Sequence, residues 1–289
     1  MATPHGYTTF EQFIRFSTDA SGLERTLRLF QSLLQILAYN ATARTLFFSL
    51  LALLLPYLLP STTTTTTTLS NTEEYIPLLL TLRARFASGR RFFRLFRFLE
   101  SFHSAWTLYS SPPSPVGGRA AEAWLDIFAR SFNGLYLLLE SATFPGAALG
   151  TEVWALNTRG MLDVEAQRLW FLALVCAVGG GGVRLWKTGG VVSVEGEKGE
   201  KAEGKRREAR SKFRRVVRRL VADVLDLAVP GTVIKVFSVG QGTVGFAMLG
   251  STVLTGLEVW ERCGRELGAA ASASAVAATA APAVKKRTG

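Results

Sequence analysis

The sequence predicts an all-α, membrane-associated helical protein, with amphipathic helices in its N-terminal part and about two hydrophobic spans in its C-terminal half. Three observations support this fold class. The first is an arginine- and phenylalanine-rich stretch at residues 83–106, and the second is a pair of uncharged runs at residues 169–183 and 236–257. The third is a composition of 48% hydrophobic residues with a net charge of +11, which favours a membrane or a polyanion as the partner.

Nucleic acid is the competing polyanion, and the distribution of charge argues against it. Much of the basic charge lies beside long apolar runs, and no signature of a nucleic-acid-binding fold accompanies it. The two cysteines, Cys176 and Cys263, predict neither a disulfide framework nor a metal site. Residues 1–20 lack the apolar segment of a secretory signal, so we expect internal targeting to a membrane.

The first long helix is predicted to begin at Ser21. Ser21 and Glu24 have the spacing of a capping box, in which each side chain satisfies a backbone amide of the other residue. Behind this start, an apolar stripe recurs every three or four residues up to about Asn40, and we expect it to pack against a partner helix. The stripe consists of Leu23, Leu27, Phe30, Leu34 and Leu37.

Residues 46–59 are uncharged and almost wholly apolar. The run is shorter than the roughly 20 residues that a spanning helix needs, and Pro56 would kink its end. We interpret it as a buried or shallowly inserted helix, with a further membrane span as the alternative. The threonine run Thr62–Thr68 predicts a variable loop, and the proline-rich stretch Ser110–Gly118 predicts a linker.

Residues 83–106 are predicted to form one basic amphipathic helix. Four arginines spaced seven, four and three residues apart occupy one stripe, and large apolar side chains cover the remaining surface. This pattern favours a helix in the plane of a membrane, with its arginines at anionic head groups. The alternative is a core-facing helix of a bundle. The predicted membrane-binding residues are Arg83, Arg90, Arg94, Arg97, Phe92, Phe93, Phe96, Leu99, Phe102 and Trp106.

Two membrane spans are predicted, at about 168–186 and 236–257. Trp170 and Trp186 lie near the ends of the first, as in an aromatic belt, although the glycines at 179–182 weaken it as a helix. Small residues in the second would allow close helix packing in lipid. They are Ser238, Gly242, Ala247, Ser251 and Thr255. The alternative is that small residues are simply common in membrane helices.

The chain is thereby divided into five segments. The basic segment between the spans is expected to be unstructured up to Gly204 and able to form a helix beyond it. The segments are an N-terminal amphipathic helical region at 1–110, a helical region at 111–186 that ends in the first span, a basic loop at 187–219, a C-terminal helical region at 220–262 that contains the second span, and an alanine-rich tail at 263–289 that we expect to be disordered.

No catalytic, cofactor-binding or metal site is predicted. The sequence contains only two histidines, and no carboxylate pair has a supporting base. Asp223 and Asp226 share a helical face, where local pairing with Arg218 and Arg219 explains them. The glycines at 179–182 lack the spacing to a lysine that a phosphate loop requires.

Three stretches, in order along the chain, resemble the peroxin-11 family of peroxisomal membrane proteins. They are FIRF at 13–16 with GLERTLRLFQ at 22–31, GRRFFRLFRF at 89–98, and DVLDLA at 223–228 with LTGLEVW at 254–260. The threonine-rich insertion and the proline-rich linker favour a divergent fungal member.

The resemblance implies a non-enzymatic protein that remodels and elongates the peroxisomal membrane before fission. The remodelling helix of the family corresponds to residues 83–106. The resemblance also implies homo-oligomers, a fission adaptor and a dynamin-type GTPase as partners beside anionic phospholipid, with both termini in the cytosol. It implies no cofactor and no nucleic acid.

Two features depart from the usual topology. An additional span at 46–59 would place the termini on opposite sides, and the basic loop at 187–219 would face the peroxisome interior. An alternative function is a pore for metabolites, formed by oligomerised spans that contain polar positions such as Lys235 and Gln241.

Overall fold

The computed structural model describes residues 7–58, 72–112, 121–148, 154–192 and 200–285. These residues are largely helical, which confirms the all-α fold class. The predicted loop at Thr62–Thr68 and most of the linker at Ser110–Gly118 lie outside the described residues. The helices are α1 (Thr9–Thr18), α2 (Ala20–Tyr39), α3 (Ala41–Leu58), α4 (Ile76–Phe93), α5 (Arg97–Ser110), α6 (Ala121–Ala148), α7 (Leu156–Val192), α8 (Glu200–Asp226), α9 (Ala228–Val233) and α10 (Gln241–Lys285).

The start of α2 differs from the predicted capping box. The carboxylate of Asp19 accepts hydrogen bonds from the backbone amides of Ser21 and Gly22, at 2.9 and 3.0 Å. An aspartate at this position both satisfies free amides and complements the positive end of the helix dipole. Glu24 is therefore not needed as a cap, and its side chain lies inside the protein.

Six helices close into a ring. Along the ring, α2 packs on α4, α4 on α6, α6 on α7, α7 on α8, α8 on α10, and α10 again on α2. The stacked rings of Tyr136 and Trp170, with centroids 5.3 Å apart, lie between α6 and α7. Because the ring is closed, residues from all six helices face a common interior.

The first and last helices of the ring are joined through α1. The amide of Gln12 donates to the carbonyl oxygen of Trp260 at 2.8 Å. Arg15 forms an ion pair with Glu266 at 3.1 Å, and the α2 cap Asp19 pairs with Arg262 at 2.8 Å. The N-terminal part of the chain is thus held directly against the C-terminal helix.

The interior is polar and the outside is apolar. Among the described residues, as many polar or charged residues as hydrophobic ones are buried. Glu24, Arg28, Gln31 and Gln35 are the buried face of α2, whereas the predicted apolar stripe of this helix is at most half-buried. Large apolar side chains project outwards instead, including Leu46, Leu50, Leu53, Leu172, Val175, Phe246 and Val253. Such a surface is unusual in water and suits a lipid environment.

Two helices have the length and composition to cross a membrane, as predicted. They are Asn157–Lys187 within α7 and Gln241–Ser274 within α10. The second begins five residues later than predicted, because the carbonyl oxygen of Gly231 accepts from the amides of Val236 and Phe237 and the chain turns there. The pair of α2 and α3 meets the same criteria only as a broken segment, since the two helices are bent by 109°.

Three further segments differ from the sequence interpretation. The stretch 83–106 is two helices, because the amides of Arg94 and Arg97 bond to carbonyls three residues back and form a turn between α4 and α5. The described part of 187–219, residues 187–192 and 200–219, is helical, whereas a helix was expected only beyond Gly204. Arg218 of α8 pairs with Glu261 of α10 at 2.7 Å. Helix α10 continues to Lys285, through the segment for which composition predicted disorder.

Small residues allow α10 to approach α2 closely. A Cβ atom at Gly245 would lie 3.0 Å from Cγ1 of Ile36 and 3.3 Å from its backbone nitrogen, and one at Gly242 would lie 3.6 Å from the carbonyl oxygen of Tyr39. Of the other predicted packing residues, Ser251 and Thr255 are buried and Ala247 is half-buried. Ser238 is exposed and precedes the helix. Their predicted role between protein copies stays a prediction.

We expect Gly245→Val to lower the free energy of unfolding by about 1–3 kcal/mol, because the larger side chain would push α10 away from α2. Gly256→Val in the same helix is the control, since a Cβ atom there meets nothing within 4 Å. The control should change stability by less than about 0.5 kcal/mol. Unfolding of the detergent-solubilised protein measures both, and equal effects would contradict the proposed contact.

Candidate functional site

Three arginines of the predicted stripe converge on one carboxylate. The Glu24 oxygens lie 2.9 Å from Nη1 of Arg97, 3.7 Å from Nη2 of Arg90 and 3.8 Å from Nε of Arg94. Glu24 is 3% exposed. This glutamate on α2 therefore binds the end of α4, the turn that follows and the start of α5.

A second carboxylate, Glu140 on α6, anchors the same stretch from another side. Arg94 lies 2.6 Å from Oε1 of Glu140, and Arg91 lies 3.6 Å from the same atom. Tyr136 accepts a hydrogen bond from Arg94 and donates one to Glu140, both at 3.1 Å. Burial raises the pKa of the Tyr136 hydroxyl, which keeps it protonated as that donor.

Amide side chains of α2 complete the contacts of the arginine stripe. Arg90 donates to Gln31 at 2.6 Å, and Arg83 donates to Gln35 at 3.0 Å. All four predicted membrane-binding arginines are therefore engaged by side chains of α2 or α6, as in the core-facing alternative. The contact of these arginines with anionic head groups stays a prediction, and it requires α4 and α5 to separate from α2.

The apolar residues of the same stretch mostly face outwards. Phe96 is 68% exposed and Trp106 is 66% exposed. Phe102 differs, because its ring packs over Gly134 of α6, where a Cβ atom would lie 2.7 Å from it. We define the outer apolar face of α4 and α5 by its five exposed side chains. They are Phe92, Phe93, Phe96, Leu99 and Trp106.

The two aspartates of α8 are held by arginines. Arg219 pairs with Asp223 at 3.3 Å, as the sequence predicted. Asp226 instead accepts two hydrogen bonds from Arg28 of α2, across the ring. Burial raises the pKa of Asp223. Across the described part of the chain no cluster of metal-ligating side chains occurs.

Sequence reasoning missed the roles of Glu24 and Glu140. Glu24 was assigned to a local cap, and no role was predicted for Glu140. The sequence did contain a signal for Glu140, because a lone carboxylate after three leucines needs a buried partner or a polar environment. The arginines of residues 90–97 supply that partner.

We expect Glu24→Gln to lower the free energy of unfolding by about 3–5 kcal/mol, because it leaves buried arginine charge without its carboxylate. Glu100→Gln is the matched control, since Glu100 also pairs with Arg97 but its side chain is 78% exposed. The control should cost at most about 1 kcal/mol. Thermal unfolding in detergent gives both values, and a similar small loss in both variants would rule out a central role for Glu24.

Comparison with known proteins assigns the family. The sequence model of the protein family peroxisomal biogenesis factor 11 (PEX11) matches residues 62–260, which is more than half of the chain. No match was found among curated proteins or among solved structures. The match covers the arginine stripe, the candidate span in α7, the aspartates of α8 and the first part of the candidate span in α10, and it confirms the resemblance seen in the sequence. The chain therefore belongs to the peroxisomal biogenesis factor 11 family and is a peroxisomal membrane protein involved in peroxisome proliferation.

Proposed function

We propose that the chain remodels and elongates the peroxisomal membrane by inserting the outer apolar face of α4 and α5 into one leaflet. The observation that carries this proposal is the exposure of five large apolar side chains on a helix pair whose arginines are engaged in ion pairs with α2 and α6. The transfer of each such side chain out of water is favourable by a free energy of about 1.5–3 kcal/mol. Inserted in one leaflet only, they expand it and favour curvature.

Helices α4 and α5, docked on their neighbours, would enter the leaflet as one rigid unit, which we call the wedge. Its arginines bind Glu24 and Glu140 on two neighbouring helices, which limits rotation of α4 and α5 about their own axes. The candidate spans in α7 and α10 would hold the wedge at the membrane and raise its local concentration. Self-association, a fission adaptor and a dynamin-type GTPase belong to the proposal as partners implied by the family.

The outer apolar face is tested with the full-length protein in liposomes. We expect the triple variant Phe92→Ser, Phe96→Ser, Trp106→Ser to reduce tubulation at least tenfold, because the wedge loses most of its buried apolar area. The control variant Phe10→Ser, Phe13→Ser changes two exposed aromatic residues of α1 and should tubulate as the unchanged protein does. Electron microscopy counts the tubules, and normal tubulation by the triple variant would exclude the wedge.

In a second form of the mechanism, the arginines leave their carboxylate partners and bind anionic head groups. Each arginine then contributes about 1 kcal/mol of binding free energy. This form predicts that Arg90→Glu with Arg94→Glu abolishes tubulation of anionic liposomes by a peptide of residues 83–106. The docked wedge predicts tubulation that depends little on anionic lipid. Undiminished tubulation by the charge-reversed peptide would contradict the released form.

A pore is the second candidate function, and one observation favours it. The charged interior lies beside residues 170–177 of α7 and Thr255 of α10, near the middle of both candidate spans. Charged residues at such depth often line ion or substrate pathways. Recording from the purified protein in planar bilayers separates the two functions. A stable unitary conductance supports the pore, and its absence from protein that tubulates liposomes supports remodelling.

A further inference from the structure

A polar cavity occupies the centre of the helix ring. Its volume is about 250 Å³, and its wall includes residues of all six ring helices. The apolar part of the wall includes Trp170 and Leu174 of α7 and Leu137 of α6. The charged residues of the wall are Arg25, Arg28, Arg90, Arg94, Arg97, Arg130 and Arg219, with Glu24, Asp223 and Asp226.

Positive charge is in excess in this cavity. Seven arginines face three carboxylates, so the wall carries four more positive than negative charges. Carboxylates outside the wall reduce this excess, because Glu140 pairs with Arg94, Glu258 with Arg219 and the largely exposed Glu100 with Arg97. Uncompensated charge within a protein is costly and is normally matched by a counter-charge.

Several guanidinium groups have unused hydrogen-bonding capacity. The Nε atoms of Arg25, Arg28, Arg90 and Arg94 are buried and have no hydrogen-bond acceptor among the described residues. Arg25 forms no ion pair with any described residue. Burial, together with the charges of Arg94 and Arg28, lowers the pKa of Arg90 to about 9. Both observations show that the charge and the donors of these guanidinium groups are incompletely compensated, which favours an anion in the cavity.

We propose that this cavity binds a phosphate group, either free or as a monoester, with Arg25 as a principal contact. Phosphate presents several acceptor oxygens and up to two negative charges, which suits a site with many guanidinium donors and excess positive charge. A monocarboxylate would neutralise less of that charge. The proposal is independent of the outer apolar face.

The cavity has a route to the surface. A second cavity of about 470 Å³ shares eight wall residues with the first, among them Arg97, Arg130 and Arg219. It extends to Glu100, Ser104 and Arg184, and Arg184 lies near the end of the candidate span in α7. Since this end is where head groups would meet the protein, the phosphate could come from a lipid head group or from solution.

The free-phosphate arm uses the full-length protein in a sugar-based detergent. Sodium phosphate should raise the melting temperature saturably above sodium chloride of equal ionic strength. We expect Arg25→Gln to weaken this binding about tenfold or more, because it removes a charged hydrogen-bond donor. Arg130→Gln, at the exposed side of the cavity, is a second test variant. Arg85→Gln is the control, since Arg85 is exposed on α4 and outside both cavity walls.

The lipid arm adds phosphatidic acid or phosphatidylcholine to the same detergent. Stabilisation by phosphatidic acid alone, lost in Arg25→Gln and kept in Arg85→Gln, identifies a head group as the source. Stabilisation by inorganic phosphate with the same variant dependence identifies a soluble ligand. The proposal is overturned if neither phosphate source stabilises the protein beyond its control, or if both test variants respond as the unchanged protein does.

Discussion

The fold depends on the charge network around Glu24. This carboxylate is buried, and arginines from α4, from the following turn and from α5 surround it. Arg94 extends the network to Glu140 of α6. Because a buried charge without a partner is strongly destabilising, the network specifies how three neighbouring helices meet. A wholly apolar interface would define that arrangement less sharply.

The network also explains why the protein has its apolar residues outside. Arginine, glutamate and glutamine occupy much of the interior, so many phenylalanines and leucines of the same helices are exposed. Those side chains are left for the surroundings, and a bilayer is the solvent that accepts them. The same separation of polar from apolar side chains thus produces the polar cavity and the outer apolar face.

Sequence patterns predicted the helical class, both spans and the outward phenylalanines, because these depend on local periodicity and hydropathy. They did not predict the partners of the arginines, since Glu24 and Arg97 are 73 residues apart and Arg28 and Asp226 are 198 residues apart. Helical periodicity also concealed the turn at Arg94. That turn follows from tertiary contacts of one side chain with α2 and α6, and no local pattern encodes them.

Closure of the ring by α10 has a consequence for biogenesis. The α10 partners of Gln12, Arg15 and Asp19 all lie between residues 260 and 266, so α1 and the start of α2 cannot dock on α10 until nearly the whole chain has been made. Until then, the polar face of α2 and the apolar surfaces of α4–α6 lack their final surroundings. A chain with this order of contacts completes its fold only after most of it has been synthesised, and its apolar surfaces are exposed to aggregation until then.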